Sequence, residues 1–196
     1  MALEYGFLDY FAVGAQVGLR LMLINNHAID LLRVDNSKAA DVFAQIGENH
    51  PSISQMRWLS RDGQEKTRVN FTKGGHIVVP QEQLQNKSSR YYFQEALKKR
   101  NQEVYLSSID LNVENGVIEY PLTTTVRSAI TTENHPLGEG VLIINFALTP
   151  LFDELRAVSN EMANVLVAKG SGEWMLSSRK NEEWALTLGA EGKSAN

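Results

Sequence analysis

Apolar residues recur along the first part of the chain at the spacing of an α-helix. They lie three, four or seven positions apart, and they are Leu8, Phe11, Ala15, Leu19, Met22 and Ile29. This period predicts a long helix over residues 1–35. Its first two turns are apolar on several sides, so we expect the helix either to pack along its own domain or to form the contact of a homodimer.

A second, shorter helix is predicted in VDNSKAADVFAQIGENHP, where Asn36 or Ser37 provides the N-cap. From Ile53 the period of the apolar pattern changes to two, and ISQMRWLSRDGQEKTRVNF predicts a β-hairpin with an Asp-Gly turn. The following stretch, TKGGHIVVPQEQLQNK, contains paired glycines and a proline. We therefore interpret it as a loop-rich insertion.

The middle of the chain combines one helix with three strands. SSRYYFQEALKK predicts a helix that starts near Ser88 and carries an apolar stripe suited to covering a sheet. EVYLSSIDLN and GVIEYPLTTTVRSAITT predict two strands about an Asn-Gly turn, and GVLIINFAL predicts a central strand covered on both faces. Consecutive strands late in the chain favour an antiparallel sheet with helices packed against it, which is an α+β fold.

The pattern changes again after Pro150. PLFDELRAVSNEM predicts a short amphipathic helix within residues 151–163, and the KGSG turn in residues 164–196 predicts a new hairpin. Trp174 and Trp184 need a core that the few remaining residues do not provide. We interpret this part as the opening of an incomplete second module or as a strand pair that folds back on the first.

Composition narrows the classes of function. The chain has 196 residues, a net charge of −4 and no cysteine, which disfavours nucleic-acid binding and excludes disulfides and thiolate chemistry. No stretch approaches the roughly 18 apolar residues of a membrane span. The N-terminal segment has Glu4 and Asp9 where a signal peptide carries positive charge. We expect a soluble piece that meets a membrane only through flanking spans outside this sequence.

The sequence contains no recognisable catalytic constellation. The four histidines lack metal-ligand spacing, and neither a G-x-S-x-G elbow nor a phosphate-binding glycine loop is present. We therefore expect a protein that is not an enzyme and that holds neither a metal nor a cofactor.

One aromatic cluster contains an arginine in an unusual place. Arg90 stands beside Tyr91, Tyr92 and Phe93 at the predicted start of a helix, where a positive charge opposes the helix dipole. An anionic ligand would explain this, because a guanidinium offers two parallel donors to a carboxylate. The alternative is that Arg90 pairs with a local acid such as Asp110 and that the aromatics belong to the core.

A second arginine, Arg127, lies in the middle of a predicted strand and shares a face with Thr125 and Ala129. That face is polar or small. It predicts either a cavity under a helix or an exposed outer face of the sheet.

Four segments taken in order are similar to the membrane-distal module of the double Cache family: ISQMRWLSRDGQEKTRVN, SSRYYFQEAL, EVYLSSIDLNVENGVIEYP and GVLIINFALTPLFDEL. Members of this family are extracytoplasmic sensor domains of bacterial histidine kinases, diguanylate cyclases and chemoreceptors. The similarity covers about residues 20–188 and includes the first hairpin of a membrane-proximal module near the C-terminus.

The resemblance implies a PAS-like module over residues 36–150, with a central antiparallel sheet of about five strands flanked by helices. It implies a pocket for a small metabolite on one face of that sheet. The expected site residues are Arg90, Tyr92, Phe93, Tyr105, Asp110, Arg127 and Trp58.

One departure from the family concerns the ligand. Members that bind amino acids carry a tryptophan two positions after the arginine and then a tyrosine, where this chain has Tyr92 and Phe93. The resemblance therefore favours a plain carboxylate or a similar metabolite, sensed outside the cytoplasm and reported to a kinase or cyclase. A ligand-free structural or dimerisation module, a chemoreceptor domain and a cytoplasmic PAS-type module holding a cofactor are the alternatives.

Overall fold

The computed structural model describes residues 38–100, 103–133, 137–159 and 164–189. The long helix predicted over residues 1–35 lies outside the described residues. The chain divides into two compact units, residues 1–147 and residues 148–196, which we describe separately.

The described part of the first unit contains two α-helices and a series of strands. Its helices are α1 (Ala39–Glu48) and α2 (Tyr91–Leu97). Its strands are β1 (Ile53–Ser60), β2 (Glu65–Thr72), β3 (Gly75–Val78), β4 (Tyr105–Leu106), β5 (Asp110–Leu111), β6 (Val113–Glu114), β7 (Val117–Ile118), β8 (Thr124–Thr132) and β9 (Gly140–Ala147).

The main sheet is antiparallel in every pair that the structure describes. Its strand order is β3-β2-β1-β9-β8-β4, and β5 also pairs with β8. The predicted α+β fold is confirmed, and β9 is the central strand that its nearly continuous apolar sequence indicates. The sheet has more strands than the five or so expected, because the short strands β3, β4 and β5 add to it.

The stretch interpreted as a loop-rich insertion contains a strand. Residues Gly75–Val78 form β3, which pairs with β2 at the edge of the sheet and is exposed throughout. Gly75 has a φ of 121°, which lets the chain turn back immediately after β2. The paired glycines therefore mark a tight turn between two strands.

The register of the ladders assigns side chains to two faces of the sheet. Cross-strand partners in an antiparallel ladder share a face, so Gln55, Asn145 and Arg127 lie together, as do Arg57, Ile143 and Ala129. We call this the α2 face, because Tyr92, Phe93 and Ala96 of α2 pack there against residues such as Leu59, Ala129, Val141 and Ile143.

The opposite face carries Met56, Trp58 and Val69, as strand alternation requires. Helix α1 packs on it: a Cβ added to Gly47 of α1 would lie 2.0 Å from the ring of Phe71. Glycine at this position therefore permits the close approach of helix and strand.

Strands β6 and β7 form a separate two-stranded hairpin. Its turn is Asn115-Gly116, with φ values of 50° and 81°, which is the left-handed geometry that the Asn-Gly pair predicts. The single long strand expected after this turn does not form. The chain leaves the hairpin, and β8 begins only at Thr124.

The second unit contains α3 (Thr149–Ala157), the hairpin strands β10 (Val167–Ala168) and β11 (Trp174–Leu176), and α4 (Ala185–Leu188). The predicted helix after Pro150 and the predicted hairpin are both present. Trp184 is buried, and the ammonium group of Lys169 lies 4.5 Å from its ring centroid. The interpretation of this unit as part of a second module stays a prediction.

Candidate functional site

Helix α2 begins later than the sequence suggests. Arg90 is its N-cap, with extended backbone angles, and the first helical residue is Tyr91. Asn86 explains the difference, because its side-chain oxygen accepts the Ser88 backbone N–H at 2.9 Å and holds the preceding residues in a turn. The late start directs Tyr92 and Phe93 inward, and both rings are buried on the α2 face.

The ring of Tyr92 is surrounded by three guanidinium groups. The central carbon of Arg127 lies 4.8 Å from the ring centroid, and those of Arg57 and Arg90 each lie 5.6 Å away. Such contacts are favourable when the cation is desolvated. Arg57 and Arg127 are each 1% exposed, so both charges are held within the protein.

Arg127 binds side chains from β5 and from the residue that follows it. Its guanidinium donates to the carboxylate of Asp110 and, at 3.2 Å, to the side-chain oxygen of Asn112. Asp110 also accepts the hydroxyl of Tyr91 at 2.7 Å. Burial and the negative charge of Asp110 together raise the pKa of Tyr91. The acid considered as a partner for Arg90 therefore pairs with Arg127.

Glu65 is the shared ion-pair partner of two arginines on the same face. Arg57 donates to Glu65 at 3.1 Å and to the side-chain oxygen of Asn145 at 3.0 Å. Arg68 lies 3.3 Å from the other Glu65 oxygen. The Glu65 side chain is fully buried, and the backbone N–H of Gln85 adds a bond of 3.0 Å to it.

Glu114, from the β6–β7 hairpin, completes this network. Its carboxylate lies 3.4 Å from Arg68 and 3.5 Å from Lys87. It also accepts hydrogen bonds of 3.4 Å and 3.3 Å from the side chains of Gln55 and Gln85. Burial acts to raise the pKa of Glu114, but the neighbouring cations outweigh burial, and the net shift is downward.

Lys87 shows the opposite balance. Only 5% of the residue is exposed, and burial lowers the pKa of its ammonium group although Glu114 favours the charged form. The α2 face therefore holds positive charge that its own carboxylates only partly compensate.

Three donors in this cluster lack an acceptor among the described residues. The Nε atoms of Arg57, Arg68 and Arg127 are buried and make no hydrogen bond. A buried donor without a partner costs free energy, and native proteins rarely leave one unmatched. The Arg57, Arg68 and Arg127 side chains therefore form a candidate site for an anion.

The structure brings together four of the residues predicted for the site. Arg90, Tyr92, Asp110 and Arg127 lie in one cluster on the α2 face. Phe93 and Tyr105 border it, because both belong to the apolar contacts under α2. Arg127 is buried, so the alternative of an exposed sheet face does not hold.

Trp58 is not part of this cluster, contrary to the prediction. It lies on the opposite face of the sheet, against which α1 packs, and its indole N–H donates to the hydroxyl of Thr132 at 2.9 Å. The reason is strand alternation: Arg57 points to the α2 face, and its neighbour Trp58 must point away from it.

Several residues of the network are absent from the sequence prediction. They are Arg57, Glu65, Arg68, Lys87 and Glu114. One signal for them exists in the sequence. Arg57 is a charged residue in the middle of a predicted strand, and the same position in a strand singles out Arg127.

The second unit has a surface depression of about 540 Å³ between β11 and α4, bordered by Glu173, Trp174 and Leu186. It is open to solvent and has no counterpart of the buried arginine cluster among its lining residues.

Within the described ranges, no group of side chains has the composition of a metal site. No helix within these ranges is both long and apolar enough to cross a membrane.

Comparison with solved structures identifies the fold. A domain of a protein assigned to the sensory box/GGDEF family of Vibrio parahaemolyticus superposes with a TM-score of 0.69 at 20% identity, covering 96% of this chain and 76% of that one. The extracellular domain of a protein described as histidine kinase vpHK1S-Z8 gives the same TM-score and identity, with 96% and 72% covered.

The ligand-binding domain of the Pseudomonas fluorescens chemoreceptor CtaA, solved with L-isoleucine, superposes with a TM-score of 0.51 at 15% identity, covering 90% of this chain and 68% of that one. At these identities the likeness concerns the fold. The search of curated proteins found no match. Residues 19–194 match the family model described as bacterial histidine kinase, sensor domain.

Proposed function

The chain belongs to the bacterial histidine kinase sensor domain family, and from this premise we propose that its first unit binds a small anionic molecule, such as a carboxylate, on the α2 face. The observation that carries the proposal is the set of three buried guanidinium groups with unmatched Nε donors, two of which flank Tyr92. A carboxylate would supply acceptors to these donors in a site from which water is largely excluded.

Arg90 is the residue of the cluster that is best placed to meet an incoming ligand. It is only partly buried, and its guanidinium lies over Tyr92 without belonging to the ion pairs beneath. The chemoreceptor domain solved with L-isoleucine has a ligand with a carboxylate, which is consistent with this chemistry on a similar fold. The finer assignment to the double Cache family stays a prediction.

We place this domain outside the cytoplasm, as part of a membrane receptor with a cytoplasmic kinase or cyclase as its output. Ligand binding would then shift an equilibrium between two arrangements of the domain. Such a shift needs only that the ligand prefer one arrangement by a few kcal/mol. A homodimer through residues 1–35 is compatible with this scheme and stays a prediction.

Thermal unfolding in the presence of small carboxylates, amino acids, amines and purines tests the proposal. A ligand at 100 times its Kd adds about 2.7 kcal/mol, which raises the Tm by about 5–10 °C for a protein of this size. We expect carboxylates to give such a shift in the wild type and a much smaller one in Arg90→Ala. That substitution removes a hydrogen-bond donor to the anion without breaking any ion pair among the described residues.

Arg61→Ala is the matched control, because its side chain is 70% exposed and its ion pair within the described residues is with the exposed Glu139. This variant should respond like the wild type. If a folded wild-type protein responds to no compound in the panel, the chain is a ligand-free structural module, and the proposal fails.

A further inference from the structure

Arg57, Arg68 and Lys87 form what we call the second cation subsite, next to the Arg127–Asp110 pair. Arg57 and Arg68 contact Glu65, the only carboxylate of this group whose side chain is fully buried within the described structure, and Lys87 contacts Glu114. Without Glu114 the subsite would hold an excess of two positive charges. Uncompensated buried charge is strongly unfavourable, so an anion is needed there.

Glu114 supplies that anion in this structure, but its contacts are loose. Its four polar contacts span 3.3–3.5 Å. Charge-assisted hydrogen bonds between nitrogen and oxygen are typically about 2.7–2.9 Å long. The side chain of Glu114 is also 24% exposed, whereas that of Glu65 is 0% exposed. Of the two carboxylates, Glu114 is the one that can be replaced from solvent.

The hairpin that carries Glu114 is weakly attached. Strands β6 and β7 have two residues each and form their own sheet, separate from the main one. Val117 at the tip is 68% exposed. A two-stranded hairpin of this size has little stability of its own, so its position depends on the polar contacts of its side chains.

Alternation along the strand connects this hairpin with Arg127. Asp110, Asn112 and Glu114 are two residues apart and all reach buried cations: the first two contact Arg127, and Glu114 contacts Arg68 and Lys87. Withdrawal of Glu114 would therefore pull on the segment that holds Arg127 and pairs with β8.

We propose that Glu114 is an internal substitute for the ligand, and that a doubly charged anion displaces it from the second cation subsite and releases the β6–β7 hairpin. The inference rests on the proposed function and makes it more specific. Two negative charges would match the excess left when Glu114 leaves, whereas a monoanion would only repeat the charge that Glu114 already provides. A dicarboxylate and a phosphate both have this charge.

Calorimetric titration with succinate, inorganic phosphate and acetate tests the inference. The titrations are made at pH 8 and low ionic strength, where the first two probes are dianions and screening is weak. Glu114→Gln removes the competing charge but keeps the length of the side chain. We expect this variant to bind succinate or phosphate at least about tenfold more tightly than the wild type, with a smaller gain for acetate.

Glu119→Gln is the matched control, because it removes an exposed carboxylate just after β7 whose hydrogen bond goes to Asn112 and not to the subsite. Its affinity for the probes should stay within about threefold of the wild type, since exposed charges interact weakly. Preference for succinate would identify a dicarboxylate ligand, and preference for phosphate would identify a phosphorylated one.

Equal or weaker binding of both dianions by Glu114→Gln overturns the inference, and so does the absence of binding in both proteins. If Glu114→Gln does not fold, Glu114→Asp decides instead, because the shorter side chain keeps its charge but withdraws from Arg68 and Lys87. It should bind the dianions more tightly than the wild type. A carboxylate response that depends on Arg90, without any effect of Glu114, would leave the proposed function standing and remove only this inference.

Discussion

At the scale of single residues the site is most sensitive at Glu65, which pairs with two buried arginines and accepts one backbone N–H. Replacing it with glutamine leaves Arg57 buried without its ion-pair partner and leaves Arg68 with Glu114 alone. Breaking one partner of a buried ion pair costs about 3–5 kcal/mol. We therefore expect Glu65→Gln to lower the free energy of unfolding by about that amount, measured by urea denaturation.

Glu139→Gln is the comparison for this measurement, since its carboxylate is 68% exposed and pairs with the exposed Arg61. Substitutions at such surface positions usually change stability by less than about 0.5 kcal/mol. Equal effects of the two substitutions would contradict a role of Glu65 as the central counter-ion.

Single residues of the site were predictable where they broke a local pattern. Arg127 and the Arg90 cluster stand out from an apolar strand and from a helix start, and the structure gathers them around Tyr92. Glu65 and Glu114 each lie close to a predicted turn, where a carboxylate is normally exposed, so their burial follows from the register of β2 and the path of the hairpin. Trp58 faces away from the cluster around Tyr92, because neighbouring strand residues point to opposite faces of the sheet.

Among the elements, the contact of β1 with β9 depends on a glycine. A Cβ at Gly140 would lie 2.0 Å from the carbonyl oxygen of Leu59, which is backbone and cannot move without disturbing the ladder. Overpacking typically costs about 1–3 kcal/mol. We expect Gly140→Ala to lower the free energy of unfolding by an amount at the upper end of this range.

Gly74→Ala provides the contrast, because the nearest atom to its added Cβ is 3.8 Å away and its backbone needs no left-handed angle. Urea denaturation of the two variants should separate them clearly. An unchanged urea midpoint for Gly140→Ala would mean that β1 and β9 can move apart at Gly140 without loss of stability.

Long elements were predictable and short ones were not. Strands β1, β2, β8 and β9 each have eight or nine residues, which is enough for a period of two to show in the sequence. Strands β4 to β7 have two residues each, so their existence depends on neighbouring strands rather than on their own pattern.

For the whole molecule, the lowered pKa of Glu114 links stability to pH. A carboxyl group whose pKa is lower in the folded than in the unfolded protein stabilises the fold above its unfolded value, which is about 4.5. This contribution is lost as the pH falls below that value and through the folded pKa. We expect the wild type to lose more stability than Glu114→Gln between about pH 5 and pH 3, measured by urea denaturation.

The two proteins share all other acidic groups, so the difference between their pH profiles isolates the contribution of Glu114. Parallel profiles would show that Arg68 and Lys87 do not stabilise its carboxylate in the folded protein.

The α+β architecture itself was predictable at this scale, because alternation and helical periods appear in the order that an antiparallel sheet with covering helices requires.

Trp58 has a practical consequence, although it stands apart from the site. The sequence contains three tryptophans, and Trp58 alone lies within residues 1–147, while Trp174 and Trp184 belong to the other unit. Replacing those two with phenylalanine leaves one tryptophan, held by Thr132 on the far side of the sheet from Arg127 and excited selectively at the red edge of its absorption. The emission of Trp58 then reports on the far face of the sheet. A change in emission on adding an anion would show that the conformational change reaches that face, and constant emission would limit the change to the α2 face.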